Sequence, residues 1–316
     1  MAAATPSRLG AADGGVDKTE LFLKVFAGEV ITSFETATVL KPLTRQRNIA
    51  SGKSASFPAI YKATASYHTP GAEIAGQQIL HNEVVVTIDD LLIADAFIAN
   101  IDEAMNHYDV RSPYSTELGL ALALAYDKNV ARNIIRAARG SALFTGDTGG
   151  AAVNDNANLI TATALAGSIW TGKETLETKD VPVDTTPVYA ALKPAQWYLL
   201  AQENTLVLNH DIGGDGSYSQ GKFSMIGGVD VIKSNALPWG TDDSSNTDIP
   251  SAYRVDMSLT AGVVFTEAAA ATVQLMGLGM ESEYDIRRQG TLMVAKYAVG
   301  HGPLLNKCAV ELTDNA

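Results

Sequence analysis

The chain has 316 residues, of which 46% are apolar, so it can bury one large core or two smaller ones and is not a disordered polymer. Its net charge of −12 argues against a protein whose main task is to grip DNA or an acidic membrane, because both tasks need clustered lysine and arginine. The single cysteine, Cys308, excludes a disulfide framework and a cysteine zinc site within the chain.

The N-terminal part of the chain has the composition of a solvated arm followed by a short helix. Residues 1–19 are rich in Ala, Gly and Asp, which indicates a disordered or extended segment. Four apolar residues at helical spacing then predict a short amphipathic helix: Leu21, Phe22, Val25 and Phe26. The stretch up to Lys53 has seven Lys/Arg and five Asp/Glu, a net charge of +2, which fits a solvated arm better than a polyanion-binding segment. We expect a protein made in the cytoplasm without a signal peptide or membrane span, because no apolar run approaches ~18 residues.

Residues 51–89 have the pattern of a long two-stranded β-hairpin. Pro58 confines the outgoing arm to a sheet edge, and Val84, Val86 and Ile88 alternate with their neighbours along the return arm. The turn residues form the predicted tip: Thr69, Pro70, Gly71 and Glu73. Such a ribbon is marginally stable alone in water, so it must lie on something else, inside the molecule or on a neighbour.

A long helix is predicted over 113–139. Ser112 can N-cap it, Pro113 suits its first position because the missing N–H costs nothing there, and Gly140 ends it. Two apolar stripes along the helix predict packing on more than one side. Three cations suit the negative end of its dipole: Arg132, Arg136 and Arg139.

A polar cluster lies just before this helix, in the sequence EAMNHYDVRSPYS at Glu103–Ser115. It holds groups that catalysis uses, and a cytoplasmic hydrolase using His107, Asp109 and Ser112 is one interpretation. Neighbouring residues of a short loop point in different directions, however, and a reaction centre usually draws on distant segments. The favoured interpretation is a structural joint of His107, Asp109, Arg111 and Ser112 that satisfies backbone groups at the start of the helix.

The second half of the chain mixes strand and helix patterns. Residues 141–187 are rich in Gly, Asn and Thr, with one possible helix near 159–172. Further on, the patterns predict a strand at Val188–Leu192, a helix opening at Pro194, a strand KFSMIGGVDVIKS with a break at Gly227–Gly228, two long β segments within 271–300, and a strand at Cys308–Leu312. This mixture predicts an α+β fold.

Known nucleotide and metal motifs are not matched. SGKS at Ser51–Ser54 has Arg47 where a phosphate loop needs glycine. DIGGDG at Asp211–Gly216 is followed by Lys222 where a calcium loop requires its bidentate Glu. No two of the five histidines fall at the spacing of a helical metal site. We therefore expect no catalytic residue, no cofactor and no metal.

Several stretches together resemble the major capsid proteins of short-tailed double-stranded DNA bacteriophages of the podovirus (autographivirus) type. They are LFLKVFAGEVITSFE, SGKSASFP, TPG, VVVTIDDLLIADAFI, AMNHYDVRSPYS and RRQGTLMVAKYAVGHG, in the order and spacing of that family. MIGGVDVIKSNALP is similar to a stretch of the wider HK97-like capsid fold. The resemblance runs from about residue 20 to residue 312 and is weak across 140–187.

The resemblance implies an α+β, HK97-like fold with a fixed division of the chain. Its parts would be an N-terminal arm (1–50), an extended loop or E-loop (51–89, the β-hairpin with its inter-subunit tip), a peripheral domain (90–140, with the spine helix 113–139, and 256–316) and an axial domain (141–255). The opening of the spine helix then coincides with the polar cluster, which favours the joint over the active site.

The implied function is that of a major capsid protein, which self-assembles into the hexamers and pentamers of an icosahedral phage head enclosing double-stranded DNA. The virion would be its location, after assembly in the host cytoplasm. Its partners would be other copies of itself, a scaffolding protein and a portal, with the DNA enclosed without sequence-specific binding and no membrane. An encapsulin-type nanocompartment shell is the alternative, and the hydrolase is a more remote one. Charged residues make up only 18% of the chain, which fits a surface covered by other chains or one rich in Ser, Thr and Asn.

Overall fold

The computed structural model describes residues 32–34, 37–71, 73–74, 76–100, 111–155, 160–202 and 225–314, and of Arg111 only the backbone. The chain divides into two compact units. The first contains the described residues of 1–38, 89–127 and 274–299, and the second those of 39–88, 128–273 and 300–316.

The main helices are α1 (Arg111–Ala138), α2 (Ala162–Thr178) and α3 (Pro194–Gln202). The strands are β1 (Arg45–Asn48), β2 (Ser54–Ile60), β3 (His81–Thr87), β4 (Leu92–Ala99), β5 (Ala151–Asn154), β6 (Val188–Leu192), β7 (Met225–Ile226), β8 (Val229–Lys233), β9 (Thr260–Thr266), β10 (Ala270–Asp285), β11 (Gly290–Pro303) and β12 (Ala309–Thr313). They form a four-stranded sheet in the order β1-β10-β11-β4, a six-stranded sheet in the order β5-β12-β9-β6-β8-β7, and the two-stranded hairpin β2-β3. The predicted α+β class is therefore confirmed.

The core of the first unit is aromatic. The ring centroid of Tyr297, on β11, lies 5.4 Å from that of Phe34 and 6.1 Å from that of Tyr126, on α1. Strands β4 and β11 pair antiparallel from Leu92 opposite Tyr297 to Ala99 opposite Gly290. Aromatic pairs at these separations stabilise a core beyond the area they bury, so this cluster fixes the sheet against the helix within the unit.

The core of the second unit is the six-stranded sheet and the helix packed on it. Every residue of β9 is buried, as expected for a central strand covered on both faces. Helix α2 lies close to this sheet, because a Cβ added to Gly172 would sit 3.1 Å from Val264. The buried residues of α2 include Leu165, Ile169 and Leu176, which supply the apolar face that the sheet requires.

Three details differ from the sequence-based expectations. Ser112 is the second residue of α1 as described, so its predicted role as the N-cap is wrong. Gly227 and Gly228, with φ of 61° and 75°, form a turn between antiparallel β7 and β8, so the predicted single broken strand is two strands. The hydrogen-bonded ladder of the hairpin ends at the pair of Ile60 with His81, so the strand arms are shorter than the alternating pattern suggested.

Across the described ranges, none of the helices has the length and apolar character that a membrane crossing requires.

Candidate assembly surfaces

The outer part of the β2–β3 hairpin carries large apolar side chains that are mostly exposed to water. Ile60 and Ile74 are 67% and 80% exposed, and Tyr67 is fully exposed. The predicted tip residues are exposed as well: Thr69, Pro70, Gly71 and Glu73. A folded subunit gains nothing from these side chains in water, so this surface is a candidate for contact with another chain.

The root of the hairpin is packed against the end of β11. A Cβ on Gly300 would lie 2.1 Å from the carbonyl oxygen of Thr87, and one on Gly302 would lie 2.9 Å from Val86. Both positions therefore need glycine, which explains the two glycines of the sequence VGHG. Ala55 and Val86 are buried at this root. The hairpin is consequently anchored at one end and exposed at the other.

Further out, both arms of the hairpin are held by a loop of the same subunit. Tyr61 Oη donates to the carbonyl of Gly146 at 3.0 Å, and its ring centroid lies 5.2 Å from that of Phe144. On the return arm, Asn82 Nδ2 donates to the carbonyl of Leu143 at 2.8 Å. The partner residues lie in the segment 141–187, which has little sequence periodicity, so no local pattern predicts these contacts.

An ion pair also holds the outgoing arm. Lys62 Nζ donates to Asp180 Oδ2 at 2.7 Å, with side chains 61% and 72% exposed. The hydrogen bond and charge of Asp180 raise the pKa of Lys62, and the same interaction lowers the pKa of Asp180. Lys62 follows an edge strand, where an exposed lysine is ordinary. It is exposed, but its ammonium has a specific partner.

An open pocket of about 840 Å³ lies beside this part of the hairpin. Its walls carry four cationic side chains and two carboxylates, namely Arg45, Arg47, Lys62, Lys307, Asp147 and Asp180. The carboxylates are paired, Asp180 with Lys62 and Asp147 with Lys307 at 3.3 Å. Arg47 Nη1, from β1, donates to the carbonyl of Ser56 on β2 at 2.7 Å.

The predicted joint is only partly visible. His107 and Asp109 lie outside the described residues, and Arg111 is described by its backbone as the first residue of α1. The carbonyl of Ser112 accepts hydrogen bonds from Ser115 Oγ at 2.8 Å and Thr116 Oγ1 at 3.1 Å, inside the first turns of the helix. The joint formed by the four residues therefore stays a prediction.

The cations in the second half of α1 and directly after its end make specific long-range contacts that the sequence did not reveal. Arg132 donates twice to Asp243 Oδ2, at 2.6 and 3.0 Å, and both side chains are largely buried. Arg139 forms a bidentate pair with Glu311 on β12, with both N···O distances 2.7 Å. These partners lie 111 and 172 residues away, so the helix dipole was the only cause that the local sequence could suggest.

Within the described ranges, no three His, Cys, Asp or Glu side chains are grouped so that they could hold a metal ion.

A sequence profile of the Gp10A-like family, described as major capsid protein, matches residues 56–313. The chain belongs to the Gp10A-like family. It is 30% identical to the major capsid protein of Enterobacteria phage T3, over 95% of this chain and 93% of that one, and 30% identical to that of Escherichia phage T7, over 93% and 91%. The capsid structure of Cyanophage P-SCSP1u is 40% identical over 99% of both chains, with a TM-score of 0.78.

Membership of the Gp10A-like family makes this chain a bacteriophage major capsid protein with an HK97-like fold, as the sequence predicted. The family is structural and not enzymatic, so the hydrolase interpretation of the polar cluster is wrong. These relatives favour a phage capsid over the encapsulin alternative. Phage capsid proteins form oligomeric shells, and this chain is accordingly a capsid component.

Proposed function

We propose that copies of this chain self-assemble into the pentamers and hexamers of an icosahedral head that encloses double-stranded DNA. The observation that carries the proposal is the hairpin, which is rooted in its own subunit and exposes Ile60, Tyr67 and Ile74 beyond it. Apolar side chains on a projecting ribbon become stable only when a second surface covers them. In a shell of identical chains, that surface belongs to the adjacent subunit.

A hairpin suits a protein that occupies two kinds of ring. One sequence that forms both pentamers and hexamers cannot depend on a single rigid interface, because the angle between neighbours differs. A thin ribbon joined to the body at a narrow root adapts its angle at little cost. The inter-subunit tip of Thr69, Pro70, Gly71 and Glu73 would then make the outermost contact.

The domain division is also proposed from this architecture. Residues 1–50 would form the arm, 51–89 the extended loop, 90–140 and 256–316 the peripheral domain, and 141–255 the axial domain. Because β9 and β12 pair with β6 and β5 in the six-stranded sheet, we add Thr260–Thr266 and Ala309–Thr313 to the axial domain. The joint of His107, Asp109, Arg111 and Ser112 would connect the spine helix, α1, to the preceding segment.

The remaining partners follow from the proposed head. A scaffolding protein and a portal would guide assembly in the host cytoplasm. The DNA would be enclosed without sequence-specific contacts, and the net charge of −12 limits adhesion of the shell to the genome, since affinity for DNA rises with each phosphate neutralised.

Removal of the hairpin tip tests this proposal. Deleting Thr69–Gln77 should leave the subunit folded, because the root at Ala55 and Val86 is untouched, and should abolish particle formation. Circular dichroism measures the fold, and sedimentation with electron microscopy measures the particles. The single change Tyr67→Ser should reduce the yield of particles, whereas Ser66→Ala, at the adjacent exposed residue, should not. Normal particles from the deletion variant would refute the proposed role of the hairpin.

A further inference from the structure

Asp180 occupies a backbone position at which helices usually place glycine. Helix α2 ends in a Schellman motif, in which the N–H of Asp180 donates to Glu177 at 2.9 Å and the N–H of Val181 donates to Leu176 at 3.1 Å. The φ of Asp180 is 59°, in the left-handed region. Any residue with a Cβ pays a steric cost there that glycine avoids, although Asp and Asn tolerate the region better than most. A carboxylate at this position therefore suggests that its side chain has a use.

The use that the structure offers is the hydrogen bond from Lys62. The two residues are 118 positions apart, and Lys62 is on the hairpin just beyond the last residue of β2. Both side chains are more than half exposed, so water screens the pair and it adds little to the stability of the subunit. Its effect is on geometry, because it fixes where the outgoing arm lies.

The surroundings allow the hairpin to pivot when this pair is broken. The root is held tightly by Gly300 against Thr87, but beside the outer arm lies the open pocket of about 840 Å³. Besides the ion pair, the polar contacts of the arms among the described residues include those of Tyr61 with Gly146, of Asn82 with Leu143 and, nearer the root, of Arg47 with Ser56. A ribbon fixed at its root and held further out by exposed polar contacts and the ring contact of Tyr61 with Phe144 can change direction at a small loss of buried area.

We propose that Asp180 and Lys62 form a latch that sets the direction in which the hairpin leaves its subunit, which makes Asp180 a positioning residue for shell assembly. The inference rests on the proposed function, in which the hairpin reaches a neighbouring subunit. An exposed pair is suited to this role, since it opens and closes at low cost while the hairpin meets neighbours at different angles. The latch selects the starting direction, and the neighbour provides the final contact.

Two substitutions separate this positioning role from a structural one. Asp180→Gly removes the carboxylate and relieves the left-handed backbone, so its melting temperature should equal or exceed that of the parent chain while its particle yield falls several-fold. Lys62→Met removes the partner of Asp180 on the hairpin and should lower the particle yield by a similar factor. The matched controls are Asp184→Asn, at a nearby exposed carboxylate, and Lys53→Met, at the other lysine of the hairpin segment. Both controls should assemble like the parent chain.

A charge exchange and a distance measurement complete the test. Lys62→Asp combined with Asp180→Lys should recover most of the yield that either change alone removes. Spin labels at Tyr67→Cys and Glu174→Cys report the hairpin direction in unassembled subunits, and Cys308 is buried and will not compete for the label. The distance distribution should be narrow in the parent chain and broad in Asp180→Gly.

The outcomes distinguish the latch from the proposed function. Unchanged yield for Asp180→Gly and Lys62→Met, or an unchanged distance distribution, would overturn the latch. If the tip deletion nevertheless abolishes particles, the hairpin keeps its proposed role and the latch alone fails. If the tip deletion assembles normally, the proposed function of the hairpin fails, whatever the spin labels report.

Discussion

His301 is a buried histidine whose ionisation links the stability of the subunit to pH. Its Nδ1 lies 2.9 Å from Thr272 Oγ1, and its backbone N–H donates to Tyr253 Oη at 2.8 Å. Burial lowers the pKa of the ring from 6.5 to about 3. The unfolded chain therefore binds a proton at this residue between pH 6.5 and 3, where the folded chain does not.

Acid should consequently destabilise the subunit through His301. The contribution is fully present above pH 6.5 and is lost as the pH falls towards 3, at up to about 1.4 kcal/mol per pH unit. His301→Asn keeps a hydrogen-bonding group for Thr272 but does not titrate, so its stability should change less between pH 7 and pH 5. Urea unfolding of unassembled subunits at both pH values measures the difference.

Asp89 changes the stability of the subunit with pH in the opposite direction and serves as a control. Burial, and then the charge of Asp90, raises the pKa of Asp89 to about 6, so its contribution to stability is present below its ordinary value of 3.8 and is lost as the pH rises through 6. Asp89→Asn should therefore steepen the loss of stability on acidification, whereas His301→Asn flattens it. Identical pH profiles for the parent chain and His301→Asn would contradict the assignment.

At the scale of elements, the Arg139–Glu311 pair joins the end of α1 to β12. The Glu311 side chain is 1% exposed and also accepts a hydrogen bond from Thr260 Oγ1, while Arg139 is partly exposed. The hydrogen bonding of Arg139 to the Glu311 carboxylate outweighs the effect of burial and raises the pKa of Arg139. Removing the partly exposed arginine of this bidentate pair is costly, because the Glu311 carboxylate then stays buried without its cation.

Arg139→Met should therefore destabilise the subunit by about 3 kcal/mol, within the range found for removing one partner of a buried pair. Arg139→Lys keeps the charge but loses the bidentate geometry, so its loss should be smaller. The double variant Arg139→Met with Glu311→Leu should recover part of the loss, since no buried charge remains unpaired. Chemical denaturation measures all three variants, and a loss below about 1 kcal/mol for Arg139→Met would argue against this account.

Whether the sequence predicts a helix or strand depends on how that element is buried. Helix α1 and the long strands β10 and β11 carry extended apolar patterns, and each was predicted within a few residues of its bounds. Strand β9 is buried on both faces and β4 exposes Ile93 and Phe97, so neither alternates between apolar and polar residues, and both were missed. Contacts such as Lys62 with Asp180 join residues 118 positions apart, and no local pattern encodes them.

At the scale of the whole molecule, the hairpin links the properties of one chain to those of a shell. It is an element that the single subunit anchors but does not cover, and the exposed Ile60 and Ile74 would make it less favourable in the free subunit than in the proposed particle. If the hairpin has its proposed role, the direction of this ribbon would influence how readily free subunits assemble. Its repeated burial, once per neighbour, would supply cohesion throughout the head without any bond between subunits being strong by itself.

Mature particles should accordingly be held together without covalent bonds between subunits. Some shells of this fold join a lysine of the extended loop to an asparagine of a neighbour, which requires a neutral, desolvated amine and a nearby carboxylate as base. In this chain the Lys62 ammonium is exposed and hydrogen-bonded to Asp180, which raises its pKa and keeps it protonated, and Lys53 is exposed near the root of the hairpin. Particles boiled in detergent with reductant should therefore run as single chains on a gel. A ladder of oligomers that survives boiling, disappears in Lys62→Ala and persists in the control Lys53→Ala would show that Lys62 is the crosslinking residue and would overturn this prediction.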